Sequence, residues 1–288
     1  MTAPVIVIGD ALIDELIDDE GTTHLVGGSA LNVAVGLSIL GVRSRLIAMI
    51  GDDVDGALIR AHLADHGVEL LPTITPNGTG VARSERIDGE PRYSFSESMV
   101  RRTIDFDSAQ RAAIADAELV AISGFPFDVP EQLALLTDAV AGRPLVAVDP
   151  NPRAGMLHDA DAFRAALEAF GGTAQLIKLG DDDTRLLWQQ PVAELAPRLL
   201  SRYPYVLATE GGEGASIRIG DARWRQPTLV APDAIVDTMG AGDSVFASVL
   251  AEIATRGIAD IDWFDALTRA MGIAAATIAH PGALLRVP

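Results

Sequence analysis

Along most of the chain, short and wholly apolar runs alternate with segments of helical periodicity. Val5 to Ile8, Arg45 to Ile50, Leu119 to Ser123, Leu145 to Val148, Leu176 to Leu179 and Tyr205 to Ala208 are runs of the first kind. Continuous apolar character over four to six residues predicts strands buried on both faces, as in a parallel sheet. Between them, apolar positions recur every three or four residues. They predict a helix opened by Gly27 to Asn32 and ended by Gly41, another around Ala57 to His66, and further helices over 107–116, 130–140, 160–170, 181–189 and 263–279. Such alternation predicts an α/β fold, a mainly parallel sheet covered by helices on both sides.

Two stretches break this rhythm. From Gly80 the period becomes two: Val81, Arg83, Glu85 and Ile87 lead to a turn at Asp88-Gly89, and Arg92 to Ser96 returns. Residues Glu15 to Val26 are too polar for a core and contain the turn Asp19-Glu20-Gly21. Both predict hairpins, and segments 11–27 and 80–100 together could form a four-stranded flap outside the main sheet. A further hairpin is expected to turn at Gly220-Asp221. With no repeat, low-complexity tract or linker, residues 1–288 read as one α/β domain carrying this flap.

Composition bears on function more than on fold. The 288 residues are 49% hydrophobic and 22% charged, ordinary for a globular protein with a full core. There is no cysteine, which excludes disulfides, thiolate metal sites and cysteine nucleophiles and makes a reducing cytoplasm the expected compartment. Met1-Thr2-Ala3-Pro4 lacks the basic region of a signal peptide, and the apolar runs fall short of the roughly 20 residues that cross a bilayer. A net charge of −18 opposes contact with nucleic acid or anionic membrane. It does not oppose a phosphate-bearing small ligand, because backbone dipoles and a divalent metal act within a Debye length of about 8 Å.

The chemistry gathers at strand ends. Asp237-Thr238-Met239-Gly240-Ala241-Gly242-Asp243-Ser244 leads into the apolar run Val245 to Ala254, so it reads as a loop becoming a helix. Two glycines around Ala241 let several N–H groups face one concavity at the helix's positive end, an anion cradle. Asp243 stands inside that turn, where a carboxylate suits proton transfer or a metal-bound group; the plainer alternative is that Asp243 and Ser244 cap the helix. The first strand ends near Asp10 and Asp14, at the sheet edge where ligands collect. Asp10 reads more simply as a solvated loop acid. Gly27 and Gly28 would admit close backbone approach to a ligand, Asn32 could hydrogen-bond a polyol, and Ser29 reads as an N-cap.

These stretches together resemble the ribokinase-like, or PfkB, carbohydrate kinases over essentially the whole chain. Asp237 to Asp243 is similar to the family's C-terminal signature, and Gly27-Gly28 with Asn32 and the run to Gly41 to its N-terminal one. The resemblance implies a three-layer ribokinase-like sandwich with a small β lid, and phosphorylation of a sugar hydroxyl by ATP with Mg²⁺. Asp243 would be the catalytic base, and the backbone of Gly240, Ala241 and Gly242 the anion hole. Asp14, Gly28, Asn32 and Arg153 would meet the sugar. Thr209, Gly211, Gly214 and Gly242 would meet the nucleotide. Lys178 is the only lysine, which on composition alone reads as a bias toward arginine, and it joins that nucleotide group. A monovalent cation such as K⁺ and a homodimer through the lid are further implications.

Asp149-Pro150-Asn151-Pro152-Arg153 resembles a motif of the fructokinase and 2-keto-3-deoxygluconate kinase branches. Two departures bear on nucleotide and metal. Where the family usually shows Asn-x-x-Glu, this chain has Gly180-Asp181-Asp182-Asp183, with Asp183 the expected metal-side carboxylate; Met271 or Gly272 stands where an adenine-pocket Asn is common. The five histidines show no metal-ligand spacing and read as surface residues, and Trp188, Trp224 and Trp263 as core or rim packing. A fructokinase-like activity therefore leads, followed by 2-keto-3-deoxygluconate kinase and ribokinase. A sugar-binding sensor without transfer is the alternative of another class. A dinucleotide oxidoreductase would want Gly-x-Gly-x-x-Gly after the first strand, where Gly9 is followed by Asp-Ala-Leu.

Overall fold

The computed structural model describes residues 3–18, 21–87, 90–230 and 234–288. The order begins β1 (Val5–Gly9), β2 (Leu12–Asp18), β3 (Gly21–Gly27), α1 (Ser29–Ile39), β4 (Ser44–Gly51), α2 (Val54–Asp65) and β5 (Glu69–Thr75). It continues through β6 (Gly80–Ile87), β7 (Glu90–Phe95), α3 (Glu97–Val100), α4 (Ser108–Ala115), β8 (Leu119–Ser123), α5 (Pro130–Ala139), β9 (Leu145–Asp149) and α6 (Ala160–Phe170). The last part is β10 (Leu176–Gly180), α7 (Asp181–Trp188), α8 (Val192–Leu199), β11 (Tyr205–Thr209), β12 (Ala215–Ile219), β13 (Ala222–Gln226), α9 (Ala241–Arg256) and α10 (Trp263–Ile278).

The main sheet has nine strands in the order β13-β12-β11-β10-β9-β8-β1-β4-β5. From β11 to β5 all pairs are parallel; β12 and β13 continue the edge antiparallel. Alternate residues of one strand feed opposite faces, as the pleat requires. Val5 and Val7 join a core with α1, α9 and α10, whereas Ile6 and Ile8 join a second core with α4, α5, α6 and α8. The inner strands β1, β8 and β9 are buried at every position, which is why they carry no polar alternation. β5 and α8 escape the sequence pattern because each contains a proline, Pro72 at the sheet's edge, where a missing N–H is tolerated, and Pro197 inside the helix.

A second sheet has the order β3-β2-β6-β7. Its two hairpins, β2–β3 and β6–β7, are antiparallel, and they join through a parallel pairing of β2 with β6, Leu12 against Gly80. Leu12 and Ala82 pack with Met99 and Met156 beside Phe95, while Ile13 points into the main core. The expected turns at Asp19-Glu20 and Asp88-Gly89 lie outside the described residues. Among the described residues no helix is long and apolar enough to cross a membrane.

Candidate active site

The carboxyl ends of β1, β9, β10 and β11, the start of α9 and the inner side of the small sheet enclose a cleft of about 910 Å³. Gly240 is the N-cap of α9 at φ 74, and a Cβ there would lie 2.5 Å from the Ala283 carbonyl oxygen, so only glycine fits. First-turn amides of a helix lack carbonyl partners within it, and those of α9 border the cleft through Gly240, Ala241 and Gly242.

Asp243 does not cap α9. Its Oδ1 accepts a hydrogen bond from Ser29 Oγ at 2.7 Å, and its Oδ2 accepts one from Asn32 Nδ2 at 2.9 Å. Ser29 in turn is not an N-cap: Gly28 holds that position and no side chain caps α1. Gly28 lines the cleft, and the glycine pair has a packing constraint besides the ligand approach expected of it. A Cβ on Gly27 would sit 2.0 Å from Asp14 Oδ2, and one on Gly28 would sit 2.8 Å from the Asp10 carbonyl oxygen. The glycines let the β1–β2 turn and the Asp14 carboxylate pack against the start of α1.

Asp10 is a buried acid, 6% exposed, and not the solvated one its loop position suggested. Its Oδ1 accepts from Ala30 N–H at 3.0 Å. Burial pushes its carboxyl up to about 6, partly offset by the Ala30 amide and Arg102. Burial also pushes Asp14 up to about 7, reinforced by the charges of Asp10 and Asp243. Both groups hold protons more tightly folded than at their ordinary value of 3.8. Stability from these two groups is therefore greatest in acid and falls as pH rises through about 6 and 7. Asp14→Asn is expected to melt at higher temperature than the parent at pH 8, with the gap closing near pH 4, while its KM for sugar rises. Thermal melts from pH 4 to 8 check this, and a gap independent of pH would remove Asp14 as its source.

On the opposite side of the cleft, Lys178 Nζ donates to Asp149 Oδ2 at 2.9 Å, with the two side chains 6% and 0% exposed. Burial alone would pull the ammonium down; Asp149, then Asp183 and Asp243, outweigh it and hold Lys178 above its ordinary value. Burial, against the pull of Lys178, pushes the Asp149 carboxyl up to about 7, and the pair sits beneath the anion turn, for a Cβ on Gly242 would come within 2.9 Å of Lys178 Nζ. Asp183 is buried, and its Oδ2 accepts from Gly180 N–H at 2.7 Å across the first turn of α7. Thr209, Gly211, Gly214 and Met271 line the same cleft, as does Arg153, which is exposed. Gly214 has a second constraint: a Cβ would lie 2.1 Å from the Gln226 carbonyl oxygen.

The structure thus brings every site residue named from the sequence to one cleft. Reading the sequence missed the engagement of Ser29, the burial of Asp10, and Ser123, whose hydroxyl lies 2.5 Å from that of Ser29. Nothing in the sequence marks Ser123, which joins the site only through the pairing of β8 with β1. Among the described residues, no three acidic, histidine or cysteine side chains could hold a metal by themselves. His62 and His66 are half-buried and pack ring to ring, with centroids 4.5 Å apart, a partial correction to reading all histidines as surface.

A glycine turn at a helix start, above clustered carboxylates at the carboxyl edge of a mainly parallel sheet, is suited to holding an anionic group beside a proton acceptor. The model of the pfkB family carbohydrate kinases matches residues 3–288, and the chain belongs to that family. It is similar to a fructokinase of Klebsiella pneumoniae, 30% identical over 278 residues, 90% of this chain and 87% of the relative. The fold is that of fructokinase from Xylella fastidiosa solved with bound ATP: TM-score 0.84, 21% identity, 99% of this chain and 94% of that one. It is also that of a fructokinase double mutant from Vibrio cholerae O395 solved with fructose, ADP and potassium ion: TM-score 0.79, 20% identity, 98% and 94% coverage. The chain is a sugar kinase of fructokinase-like character.

Proposed function

We propose that the protein transfers the γ-phosphoryl group of ATP to a hydroxyl of fructose, with Asp243 as the base. The observation that carries this reading is the Asp243 carboxylate, held by Ser29 and Asn32 at the mouth of the α9 glycine turn. The sugar hydroxyl gives its proton to Asp243 as its oxygen bonds to the γ-phosphorus and the bond to the leaving ADP breaks. The α9 amides at Gly240 to Gly242 meet the charge on the transferred group, with the Lys178 ammonium behind them. Asp14, Gly28 and Asn32 would contact the sugar, and Thr209, Gly211 and Gly214 the nucleotide.

Asp10, Asp14 and Asp243 lie close together in the cleft, with the Arg153 guanidinium near enough to act on the first two. Fructose is preferred over 2-keto-3-deoxygluconate on the fructokinase relatives and not on the charges of the cleft, because Arg153 is a cation that a sugar acid's carboxylate could meet. Magnesium fits as a guest of the nucleotide: Mg²⁺ keeps most of its waters and needs only one or two protein carboxylates, which Asp183 would provide through water. When bound it would neutralise phosphate charge. The small sheet would act as a lid that excludes water, and its edge strands β3 and β7 could pair with those of a second copy, which sedimentation would read.

An ADP-release assay with MgATP and D-fructose, 2-keto-3-deoxygluconate, ribose, adenosine or no acceptor tests the reading. Fructose is expected to give the highest kcat/KM. Ribose or adenosine as the best acceptor would overturn the ketose assignment, and no ADP with any acceptor would favour a sensor. Replacing potassium with sodium in the same assay tests a monovalent activator, as the Vibrio cholerae structure suggests.

A further inference from the structure

We propose that Ser29, braced by Ser123, is a positioning residue that orients the Asp243 carboxylate for proton abstraction. The proposal rests on Asp243 being the base. Ser29 occupies the first turn of α1 without capping it, and its side chain is turned to the cleft, where Oγ donates to Asp243 Oδ1 at 2.7 Å. Behind it lies Ser123 Oγ at 2.5 Å. Ser29 and Ser123 are 5% and 0% exposed.

Counting protons fixes the direction of this chain. An ionised carboxylate only accepts, and a serine hydroxyl has one hydrogen to give. Ser29 gives its hydrogen to Asp243, so Ser123 must be the donor to Ser29. Asn32 faces the other carboxylate oxygen, so its Nδ2 must be the atom presented, as the 2.9 Å contact has it. Asp243 is thereby held at both oxygens from one helix, and each oxygen keeps a second lone pair for a sugar hydroxyl.

The surrounding backbone is shaped for this contact. Gly9 pairs in register with Ser123, and a Cβ on Gly9 would lie 1.7 Å from the Ser123 carbonyl oxygen and 3.0 Å from Ala30 Cβ. Its bare Cα lets the first turn of α1 settle onto the end of β8, which is what brings the two hydroxyls together. A loose phosphoryl-transfer transition state asks little of the base's strength and much of its placement. A hydroxyl bond that stops the carboxylate from rotating therefore contributes to kcat and not to sugar affinity.

The test compares Ser29→Ala, Ser123→Ala, the double variant and Asp243→Asn, assayed with D-fructose and MgATP well below each variant's Tm. Ser29→Ala is expected to lower kcat about 10- to 100-fold, the range for losing a hydrogen bond to a charged group, with KM for fructose nearly unchanged. Ser123→Ala should lower kcat less. The double variant should match Ser29→Ala alone, because Ser123 acts only through Ser29. Full kcat in Ser29→Ala beside an inactive Asp243→Asn would overturn this proposal and leave the base intact. Losses that multiply in the double variant would overturn the bracing, as would a loss seen in KM alone. Turnover in Asp243→Asn would instead remove the base assignment beneath it.

Discussion

Asp243→Asn should lose about 10²- to 10⁴-fold in kcat, the usual contribution of a positioned general base, while still binding fructose. The substitution preserves shape and removes the acceptor. The Ser29 hydroxyl can still donate to the remaining Oδ1, and Asn32 can turn its amide so that its oxygen accepts from the new NH₂ group. The fold around α9 depends on the turn at Gly240 and the buried run Ser244 to Leu250, not on the carboxylate charge. Calorimetric binding of fructose with turnover reduced this far is the expected pair of results. Turnover within a few-fold of the parent would remove Asp243 from the reaction.

Lys178→Met should be the most costly change for stability. Asp149 is fully buried, its Oδ2 bound to Lys178 and its Oδ1 without a hydrogen-bond partner among the described residues. Removing the ammonium leaves a buried carboxyl that must either stay charged without a partner or take up a proton; breaking a buried pair in this way typically costs about 3–5 kcal/mol and, in a chain of this size, a Tm drop on the order of 10 °C. Adding Asp149→Asn should recover most of that loss, since the stranded carboxyl goes too. It should not recover activity, because the phosphate side of the α9 turn would still lack its cation. Thermal melts and ADP release on the single and double variants separate the two effects. A Lys178→Met protein of parental Tm would show that the pair is not buried as a charge.

Much of the architecture was legible because burial on both faces leaves a mark on composition. β1, β8, β9, β10 and β11 coincide with the apolar runs, and the period-two stretch from Gly80 emerges as β6. β5 was hidden by Pro72 and α8 by Pro197, residues whose effect depends on whether a missing N–H faces a neighbour. At the site, the residue types were right but some of their relations were not. Gly27 and Gly28 were expected to admit a ligand; Gly28 does line the cleft, and both glycines also make room for protein atoms, Asp14 and the Asp10 backbone. Ser29 looked like a cap because serines usually are caps at helix starts; its true partner lies 214 positions away. Such contacts depend on which strand lies beside which, and the apolar pattern of a single strand carries no information about its neighbour.

The pairing of β2 with β6 has a consequence for how the chain assembles. These strands run parallel and meet only after α1, β4, α2 and β5 have intervened, so no tight turn can zip them together. Each hairpin can form locally, but joining the two must await the long loop closure that the intervening core provides. The small sheet is therefore expected to come together late in folding, which φ-values near zero for substitutions across the β2–β6 pairing would check. Once formed, it is tied to the first half of the main sheet through Ile13 in the shared core, so loosening of β1, β4 or β5 would be felt at the sugar site before any residue that touches sugar had changed.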